Sequence, residues 1–391
     1  MKSRFFSFLV VSSVAAAPLS AAGCGGNFTT FLSTLTLELQ AEGLSDSQAK
    51  AFLHGARIDP EVLKADRAQG VFRLDFDDFA RRVISRNRLE TGAYQAVKQG
   101  PLLQDIEQTY GVSRGVLLAF WGLETDFGQV QGTYKTRDAL LTLAHDCRRP
   151  QLFLPQVMAA AKLYARGDFD PLRTRGAWAG EIGQVQMLPK DILENGVDGD
   201  GDGHVDLKGS AADALTSAAR LLRHLGWQPN APWLQEVTLP DDLDWARTGL
   251  DHPAPISEWV ARGVVPRDGV LDPALSAAVI LPMGRKGPAF LAYPNFEVLF
   301  EWNKSFVYVT TAAYFATRLE GAPVFEAGHP DPGLSKAQIK ILQEKLSARG
   351  ADVGTVDGIL GRKTRAAVQG AQSALGLPAD AWPTVGLLNR L

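Results

Sequence analysis

The segment from Val116 to Gly128, VLLAFWGLETDFG, constrains the fold of this chain more than any other. Apolar residues recur in it at intervals of three and four, which predicts a helix with one face buried in a helical core. That face consists of Val116, Leu117, Phe120, Leu123 and Phe127. Glu124 lies beside it, and a carboxylic acid at the edge of apolar packing has a raised pKa that suits a general acid. On this segment alone an ordinary surface glutamate is the more frequent case.

The N-terminus predicts export. Lys2 and Arg4 precede the apolar run FFSFLVVSSVAAAP, and small residues follow it, as in a secretory signal peptide over residues 1–22 that is cleaved near Ala22.

The length of 391 residues suggests about two or three domains. The net charge is -3, so the chain lacks the excess of basic residues that is typical of nucleic-acid-binding proteins, and nucleic acid is excluded as a partner.

Cys24 and Cys147 are the only cysteines in the sequence. In an oxidising compartment we expect them to form one disulfide, which ties the mature N-terminus to the region after the Glu124 helix. The alternative is lipoprotein processing at Cys24, for which the preceding residues AAG are a poor match because the usual aliphatic residue is missing. An acylated Cys24 could not pair with Cys147, so the two interpretations exclude each other.

A glycine-rich stretch, GAWAGEIGQVQMLP, runs from Gly176 to Pro189. Glycines let the backbone approach a ligand closely, and glutamine amides offer both a donor and an acceptor, which suits a saccharide. Turns in which Gln184 or Gln186 caps backbone groups fit the same residues equally well. Glu181 is the only other acid in this loop and is a candidate salt-bridge partner.

The run VDGDGDGHVD, from Val197 to Asp206, places oxygen ligands at alternating positions and follows them with glycine, as in the opening of an EF-hand calcium loop. Gly209 stands where that loop needs its last glutamate, so a standard EF-hand is excluded. Asp213 closes a longer loop in this interpretation, and the backbone carbonyl of His204 adds a ligand. The expected ligands of a structural Ca²⁺ are Asp198, Asp200, Asp202, His204 and Asp213. The alternative is a solvated acidic turn, in which the three close aspartates would repel one another.

The remaining segments define the domain organisation. Residues 226–294 contain short apolar runs at Ala277 to Leu281 and Ala289 to Tyr293, which predict strands in a small subdomain. An aromatic-rich helix is expected from Glu297 to Leu319. Residues 326–333 read as a linker, and residues 334–391 as three short helices.

Together these motifs resemble the membrane-bound lytic transglycosylase B family of lytic murein transglycosylases. The resemblance implies a mainly α (α+β) fold, with a lysozyme-like catalytic domain over 23–325, whose core covers about 100–228 and 294–320, and a peptidoglycan-binding three-helix module over 334–391. The motifs that carry it are Glu124-Thr125-Asp126-Phe127-Gly128, Arg137-Asp138-Ala139-Leu140, Thr142-Leu143-Ala144, Trp178-Ala179-Gly180, Gly183-Gln184-Val185-Gln186-Met187-Leu188-Pro189, DGDGDGH, Pro294-Asn295-Phe296 and DGILGRKTRAAV.

The family implies cleavage of the bond between N-acetylmuramic acid and N-acetylglucosamine without water. By resemblance Glu124 protonates the leaving oxygen and then, as a carboxylate, takes the proton from the muramic acid C6 hydroxyl, so that no cofactor is required. This departs from the usual pattern of two carboxylates. The resemblance also implies substrate contacts, which we assign to Gln186, Gln184, Trp178, Gly180, Asn295, Glu297 and Trp302.

Two rival functions stay open. A hydrolytic muramidase on the same fold would add water, and Glu297 is the candidate for a second acid in its cleft. A catalytically silent protein would only bind peptidoglycan. We expect a periplasmic monomer that contacts glycan strands, with proteins of cell-wall synthesis or of the divisome as candidate partners.

Overall fold

The computed structural model describes residues 23–68 and 74–391, so the expected signal peptide lies outside the described residues. As predicted, the described part of the chain is mainly helical, and none of its helices is long and apolar enough to span a bilayer. The helices are α1 (Phe28–Ala41), α2 (Asp46–Leu53), α3 (Pro60–Arg67), α4 (Phe76–Val83), α5 (Arg86–Lys98), α6 (Gly100–Tyr110), α7 (Arg114–Thr125), α8 (Thr136–His145), α9 (Pro150–Arg166), α10 (Pro189–Asn195), α11 (Ala211–His224), α12 (Ile256–Ala261), α13 (Pro294–Trp302), α14 (Phe306–Leu319), α15 (Lys336–Ala348), α16 (Arg362–Ala374) and α17 (Val385–Arg390).

Two small antiparallel sheets accompany the helices. The strands are β1 (Tyr134–Lys135), β2 (Arg175–Gly176), β3 (Leu234–Thr238), β4 (Ala254–Pro255), β5 (Val265–Pro266), β6 (Ser276–Ile280) and β7 (Ala289–Ala292). Strands β1 and β2 pair alone, and the other five form a sheet in the order β4-β6-β7-β3-β5. Strands β6 and β7 confirm the two predicted strands, and they pair with Ala278 opposite Ala292.

The five-stranded sheet separates two hydrophobic cores. Alternate side chains of a strand point to opposite faces. On β7 and β6, Phe290 and Ile280 pack into the large helical core, whereas Leu291 and Val279 pack into a smaller core with α12. The C-terminal helices α15, α16 and α17 enclose a third core around Leu342 and Val368, which gives the predicted three-helix module.

Helix α7 differs from its prediction because it is buried on all sides. Every residue from Gly115 to Gly122 is buried, so this is a central helix and not an amphipathic one. Helix α14 crosses it at close range. A Cβ at Gly115 would lie 2.7 Å from the backbone oxygen of Ala316, so only glycine allows the two helices to approach this closely. The sequence pattern missed this because a helix that is apolar all round has no preferred face.

The aromatic segment from Pro294 to Leu319 forms two helices, where the sequence predicted one. Helix α13 ends at Trp302, and α14 begins at Phe306. The side chain of Asn303 accepts a hydrogen bond from the backbone N–H of Ser305 at 2.9 Å, and Ser305 caps α14 by accepting one from the N–H of Tyr308 at 3.3 Å. These short polar residues compete with the helical backbone and stop α13.

Cys24 and Cys147 form the predicted disulfide, with their Cα atoms 5.1 Å apart. The bridge ties the start of the described chain to the loop between α8 and α9. Next to it, the backbone N–H of Gly25 donates to the carbonyl of His145 at 2.7 Å. Because the sulfur of Cys24 is used in this bond, the structure favours the disulfide over acylation of Cys24.

Candidate functional site

Glu124 lines a cavity of about 310 Å³ between the end of α7, the loop that leads into α10, and the end of α13. The cavity has polar walls on several sides. Its polar and aromatic lining residues are Glu124, Trp178, Glu181, Gln186, Asp191, Glu301, Trp302 and Asn303. The structure thus brings together Glu124 with three of the sequence-predicted substrate residues: Trp178, Gln186 and Trp302.

The backbone after Glu124 adopts an uncommon conformation. Helix α7 ends at Thr125, and both Asp126 and Phe127 have left-handed backbone angles, with φ of 51° and 58°. Non-glycine residues hold this conformation only where their surroundings impose it. Here Arg88 donates to the Asp126 carboxylate at 2.6 Å, and the Thr125 hydroxyl donates to the carbonyl of Gln184 at 2.5 Å. The turn therefore fixes Glu124 relative to the glutamine loop.

The carboxylate of Glu124 accepts two hydrogen bonds on the same oxygen. The Tyr308 hydroxyl donates to Oε1 at 2.5 Å, and Trp302 Nε1 donates to it at 3.2 Å. Burial raises the pKa of Glu124 to about 7, the two hydrogen bonds lower it in part, and the negative charge of Glu181 raises it. A group with a pKa near the working pH can both give and take a proton.

Trp302 and Tyr308 reach Glu124 because the α13–α14 segment is broken. Trp302 is the last residue of α13, and its ring stacks on Phe120 of α7 with centroids 4.4 Å apart. Tyr308 lies in the first turn of α14. Burial and the negative charge of Glu124 raise the pKa of Tyr308 well above its ordinary value, so its hydroxyl stays a donor. Sequence reasoning missed Tyr308, although Asn303 and Ser305 are the kind of residues that stop and cap helices.

Gln186 and Trp178 occupy the wall of the cavity on the glutamine loop. Gln186 has a left-handed backbone, with φ of 52°, and its Nε2 donates to the carbonyl of Gly183 at 2.7 Å. Within residues 23–68 and 74–391, its Oε1 accepts no hydrogen bond, which leaves an acceptor for a ligand. Trp178 is partly exposed beside it and offers an aromatic face.

Gln184 does not line the cavity, contrary to the prediction. Its side chain is 6% exposed, its Oε1 accepts a hydrogen bond from Trp121 Nε1 at 3.0 Å, and its Nε2 donates to the carbonyl of Lys208 at 3.3 Å. It therefore holds the loop against α7. This is the capping alternative that the sequence left open.

Gly180 and Asn295 also have structural roles and make no wall of the cavity. Gly180 is buried with φ of 94°, and a Cβ there would lie 2.2 Å from a methyl carbon of Leu140. The Asn295 side chain is fully buried. It accepts from the N–H of Gln228 at 2.7 Å and donates to the carbonyls of Gln228 and Ala231, both at 2.9 Å. Since its polar atoms are all engaged, Asn295 cannot contact a substrate.

Glu297 is not the second acid of this cavity. Its carboxylate pairs with Arg362 of the C-terminal module at 2.8 Å. The acids that do line the cavity with Glu124 are Asp191, Glu301 and, in the glutamine loop, Glu181. Glu181 forms no salt bridge within the described residues, although it was a candidate for one, and its Oε2 is buried there without a hydrogen-bond partner. Burial raises the pKa of Glu181.

Asp198, Asp200 and Asp202 form a compact group of carboxylates. One oxygen from each lies within 4.8 Å of the others. The backbone N–H groups of Gly201 and Gly203 donate to Asp198 at 2.7 and 2.8 Å, and the bond from Gly203 is the largest cause of a lowered pKa of Asp198. Three ionised carboxylates on a tight loop are a donor set that fits a hard cation such as Ca²⁺.

Asp213 lies outside that group of side chains, which differs from the prediction, whereas the predicted ligand from His204 is its backbone carbonyl. Asp213 is buried, and its two oxygens accept hydrogen bonds from the backbone N–H groups of Gly199 at 2.9 Å and Asp206 at 2.7 Å. It therefore closes the loop through the backbone. The His204 ring lies 3.2 Å from a carboxylate oxygen of Asp168, measured from Nδ1.

Comparison with known proteins decides the family. The family model "Transglycosylase SLT domain" matches residues 27–317, which is most of the chain. The chain belongs to this family. A second model, "Putative peptidoglycan binding domain", matches residues 335–391 of this transglycosylase. Both fold predictions, the helix-rich catalytic domain and the C-terminal helical module, are therefore confirmed.

Three relatives extend the comparison. This transglycosylase is 26% identical over 228 residues to membrane-bound lytic murein transglycosylase B of Escherichia coli (strain K12), a match that covers 58% of this chain but only 62% of that protein. It is 33% identical to SltB3 from Pseudomonas aeruginosa in complex with NAG-anhNAM-pentapeptide, with a TM-score of 0.86 over 94% of this chain and 99% of that chain. Escherichia coli Slt35 in complex with calcium shares the fold at 23% identity, with a TM-score of 0.63 over 77% of this chain and 96% of that chain.

Proposed function

We propose that this protein is a lytic murein transglycosylase. It cleaves the β-1,4 bond between N-acetylmuramic acid and N-acetylglucosamine and closes a 1,6-anhydro ring on the muramic acid. The observation that carries the proposal is Glu124, which lines a polar cavity, accepts hydrogen bonds from Tyr308 and Trp302, and has a pKa of about 7. The anhydro sugar bound to SltB3, the relative with a TM-score of 0.86, supports the same chemistry.

Glu124 acts first as an acid and then as a base. Two donors occupy Oε1, so the acid proton sits on Oε2 and passes from there to the glycosidic oxygen as the bond to the sugar breaks. The C6 hydroxyl of the muramic acid then attacks C1, and the Glu124 carboxylate accepts the proton that this hydroxyl loses. The enzyme ends in the state in which it began. A pKa of about 7 suits both the acid step and the base step, because neither proton transfer then has a large free-energy cost.

Gln186 and Trp178 bind the substrate in this scheme. The free Oε1 of Gln186 accepts a hydrogen bond from a sugar acetamido N–H, and Trp178 offers its ring to a sugar face. The acetamido carbonyl of the substrate itself stabilises the charge that develops at C1. No cofactor takes part in these steps.

A hydrolytic muramidase is the second candidate, because Glu181 faces the same cavity and a second carboxylate could activate water. Mass analysis of the products released from purified sacculi separates the two functions. The proposal expects anhydro-ended muropeptides from the wild-type protein and none from Glu124→Gln. Reducing ends, heavier by one water, would establish the hydrolase instead.

Glu297→Gln is the matched control for that experiment. It removes one carboxylate, as Glu124→Gln does, but from a residue that pairs with Arg362 away from the cavity. We expect it to release the same products as the wild type. If neither wild-type protein nor control released any product, the protein would be a binding protein without catalytic activity.

We also propose that Asp198, Asp200 and Asp202 hold a structural Ca²⁺, as expected from their spacing. The ion would offset the repulsion between the three carboxylates and brace the loop. The His204 backbone carbonyl is the proposed further ligand, whereas both carboxylate oxygens of Asp213 already accept backbone hydrogen bonds. Calcium is bound in the Slt35 complex, which supports the assignment.

The proposed compartment is the periplasm, and the proposed state is a monomer. The disulfide between Cys24 and Cys147 is favoured in an oxidising compartment. It also begins directly after the expected signal-peptide cleavage near Ala22, so the leader can be removed without loss of the bridge. The C-terminal module is proposed to bind peptidoglycan, in line with its family model.

A further inference from the structure

Glu181 is held in the catalytic cavity by its backbone. The carbonyl of Glu181 accepts a hydrogen bond from the N–H of Ala177 at 3.0 Å, and the next residue, Ile182, pairs with Met187 through bonds of 2.8 and 3.1 Å. These bonds fix the backbone on both sides of Glu181, and therefore the point on the cavity wall from which its side chain starts.

One oxygen of the Glu181 carboxylate, Oε2, lacks the partners that a buried acid normally has. Within residues 23–68 and 74–391, this Oε2 accepts no hydrogen bond and no cation forms a salt bridge with Glu181. A buried carboxylate oxygen without a partner costs free energy, so it calls for a functional explanation. The nearest explanation is Glu124, which lines the same cavity.

We propose that Glu181 is a second carboxylate of the catalytic cavity, which keeps Glu124 protonated before the bond breaks and stabilises the positive charge that develops on the sugar ring. This inference rests on the proposed function. Glu181 forms no bond to the substrate and exchanges no proton. The proton of Glu124 goes to the leaving oxygen, and the C6 hydroxyl returns one to Glu124.

The charges around the two acids agree with this order of events. The negative charge of Glu181 raises the pKa of Glu124, so Glu124 keeps its proton to higher pH when Glu181 is ionised. The backbone N–H groups of Glu181 and Ala179 and the distant Arg149 favour the ionised form of Glu181 in part. An anion in a cavity from which water is partly excluded then stabilises an oxocarbenium-like transition state.

The other ionisable groups near the pair have different partners. Tyr308 donates to Glu124, and the charge of Arg88 acts on Tyr308 and not on Glu124 directly. Asp191 and Glu301 line the cavity as well, but neither is a main cause of the raised pKa of Glu124. Asp191 is therefore a matched control, because it is a carboxylate of the same cavity whose charge is not a main cause of that raised pKa.

The test is the pH profile of kcat/KM on soluble uncrosslinked NAG–NAM glycan fragments, for full-length wild type, Glu181→Gln, Glu181→Asp and Asp191→Asn. Glu181→Gln should move the basic limb to lower pH, because Glu124 loses its proton earlier, and should lower kcat by about ten- to a hundred-fold. Glu181→Asp should restore part of the wild-type kcat and move the basic limb part of the way back to its wild-type pH. Asp191→Asn should leave the basic limb at the wild-type pH, whatever its effect on KM.

An unchanged basic limb in Glu181→Gln would overturn the inference, including when kcat falls, since a merely structural role lowers activity without moving the profile. Product analysis keeps the two proposals apart. Anhydro products with an unmoved limb would leave the proposed function standing and remove this inference. Reducing ends would instead remove the proposed function, on which this inference rests, whether or not the limb moved.

Discussion

The guanidinium carbon of Arg365 lies 4.4 Å from the centroid of the Phe306 ring, which joins the C-terminal module to the catalytic domain. Arg365 belongs to α16, and Phe306 is the first residue of α14, two positions before Tyr308. Arg365 also donates to the carbonyls of Leu281 at 3.3 Å and Pro282 at 2.7 Å. The module is thus docked on the segment that supplies a hydrogen bond to the catalytic acid.

Replacing Arg365 by alanine should destabilise the protein by about 2 to 4 kcal/mol, because it removes a buried cation from an aromatic ring and leaves two carbonyls without donors. Thermal unfolding followed by circular dichroism measures this change. Lys363→Ala is the control on the same helix. Its ion pair with Asp352 is exposed, so its unfolding midpoint should stay near that of the wild type. Equal midpoints for both variants would show that the docking contributes little.

Tyr308→Phe should move the basic limb of the pH profile to higher pH. The Tyr308 hydroxyl donates to Glu124 and lowers its pKa, so the variant acid keeps its proton longer. Activity should fall about ten-fold or more, since a hydrogen bond to a charged group is worth about 1.5 to 3 kcal/mol. Tyr314→Phe tests the same substitution on the same helix, where the hydroxyl accepts from the N–H of Phe325. A limb that moved to lower pH in Tyr308→Phe would contradict the assignment.

Glu124→Gln should stabilise the protein at pH 8 and not at pH 4. The folded-state pKa of Glu124 is raised from 4.5 to about 7, so the folded protein binds more protons than the unfolded chain in that window. Stability is therefore lost as pH rises from about 4.5 to 7, by up to about 3 kcal/mol, and the loss persists above that range. Glutamine is neutral throughout. Thermal unfolding of both proteins at the two pH values measures the difference.

The same unfolding curves would contradict the raised pKa of Glu124 if its true pKa is that of an unperturbed glutamate. In that case Glu124→Gln would be no more stable than the wild type at pH 8. Glu297→Gln is again the control, because its carboxylate is exposed and paired with Arg362. It should show no stabilisation specific to alkaline pH.

The sequence indicated those parts of the candidate site that follow from local chemistry. Glu124 at the end of an apolar run and Gln186 and Trp178 in a glycine-rich loop line one cavity, and the alternating aspartates lie close to one another. The prediction from sequence was wrong where a motif residue is needed for packing. Asn295, Gly180 and Gln184 match the family pattern, but they hold backbone segments together, and a sequence does not distinguish a polar group that binds a ligand from one that binds the main chain.

Three side chains, those of Tyr308, Glu181 and Glu297, have surroundings that no local pattern contains. Tyr308 lies 184 positions after Glu124 and reaches it only because the helix breaks at residues 303–305. Glu181 was a candidate for a salt bridge, but it forms none within the described residues. Glu297 was expected in the cleft, but Arg362, 65 positions later, pairs with it. Such pairings require the tertiary fold.

Removing calcium should lower the thermal midpoint of the wild-type protein. Without a cation, the carboxylates of Asp198, Asp200 and Asp202 repel one another within 4.8 Å, and the loop that they close lies directly after the cavity wall. Unfolding in the presence of EGTA, and again after excess Ca²⁺ is restored, measures the effect. The midpoint should fall and then recover.

Asp200→Asn separates binding at this loop from a general effect of the chelator. The substitution removes one of the three charges, whereas Asp206→Asn alters a neighbouring aspartate outside the group. We expect Asp200→Asn to lose most of its response to EGTA and Asp206→Asn to retain it. If the wild-type midpoint is the same with and without EGTA, or if both variants respond as the wild type does, the aspartates form a solvated turn and the calcium assignment is wrong.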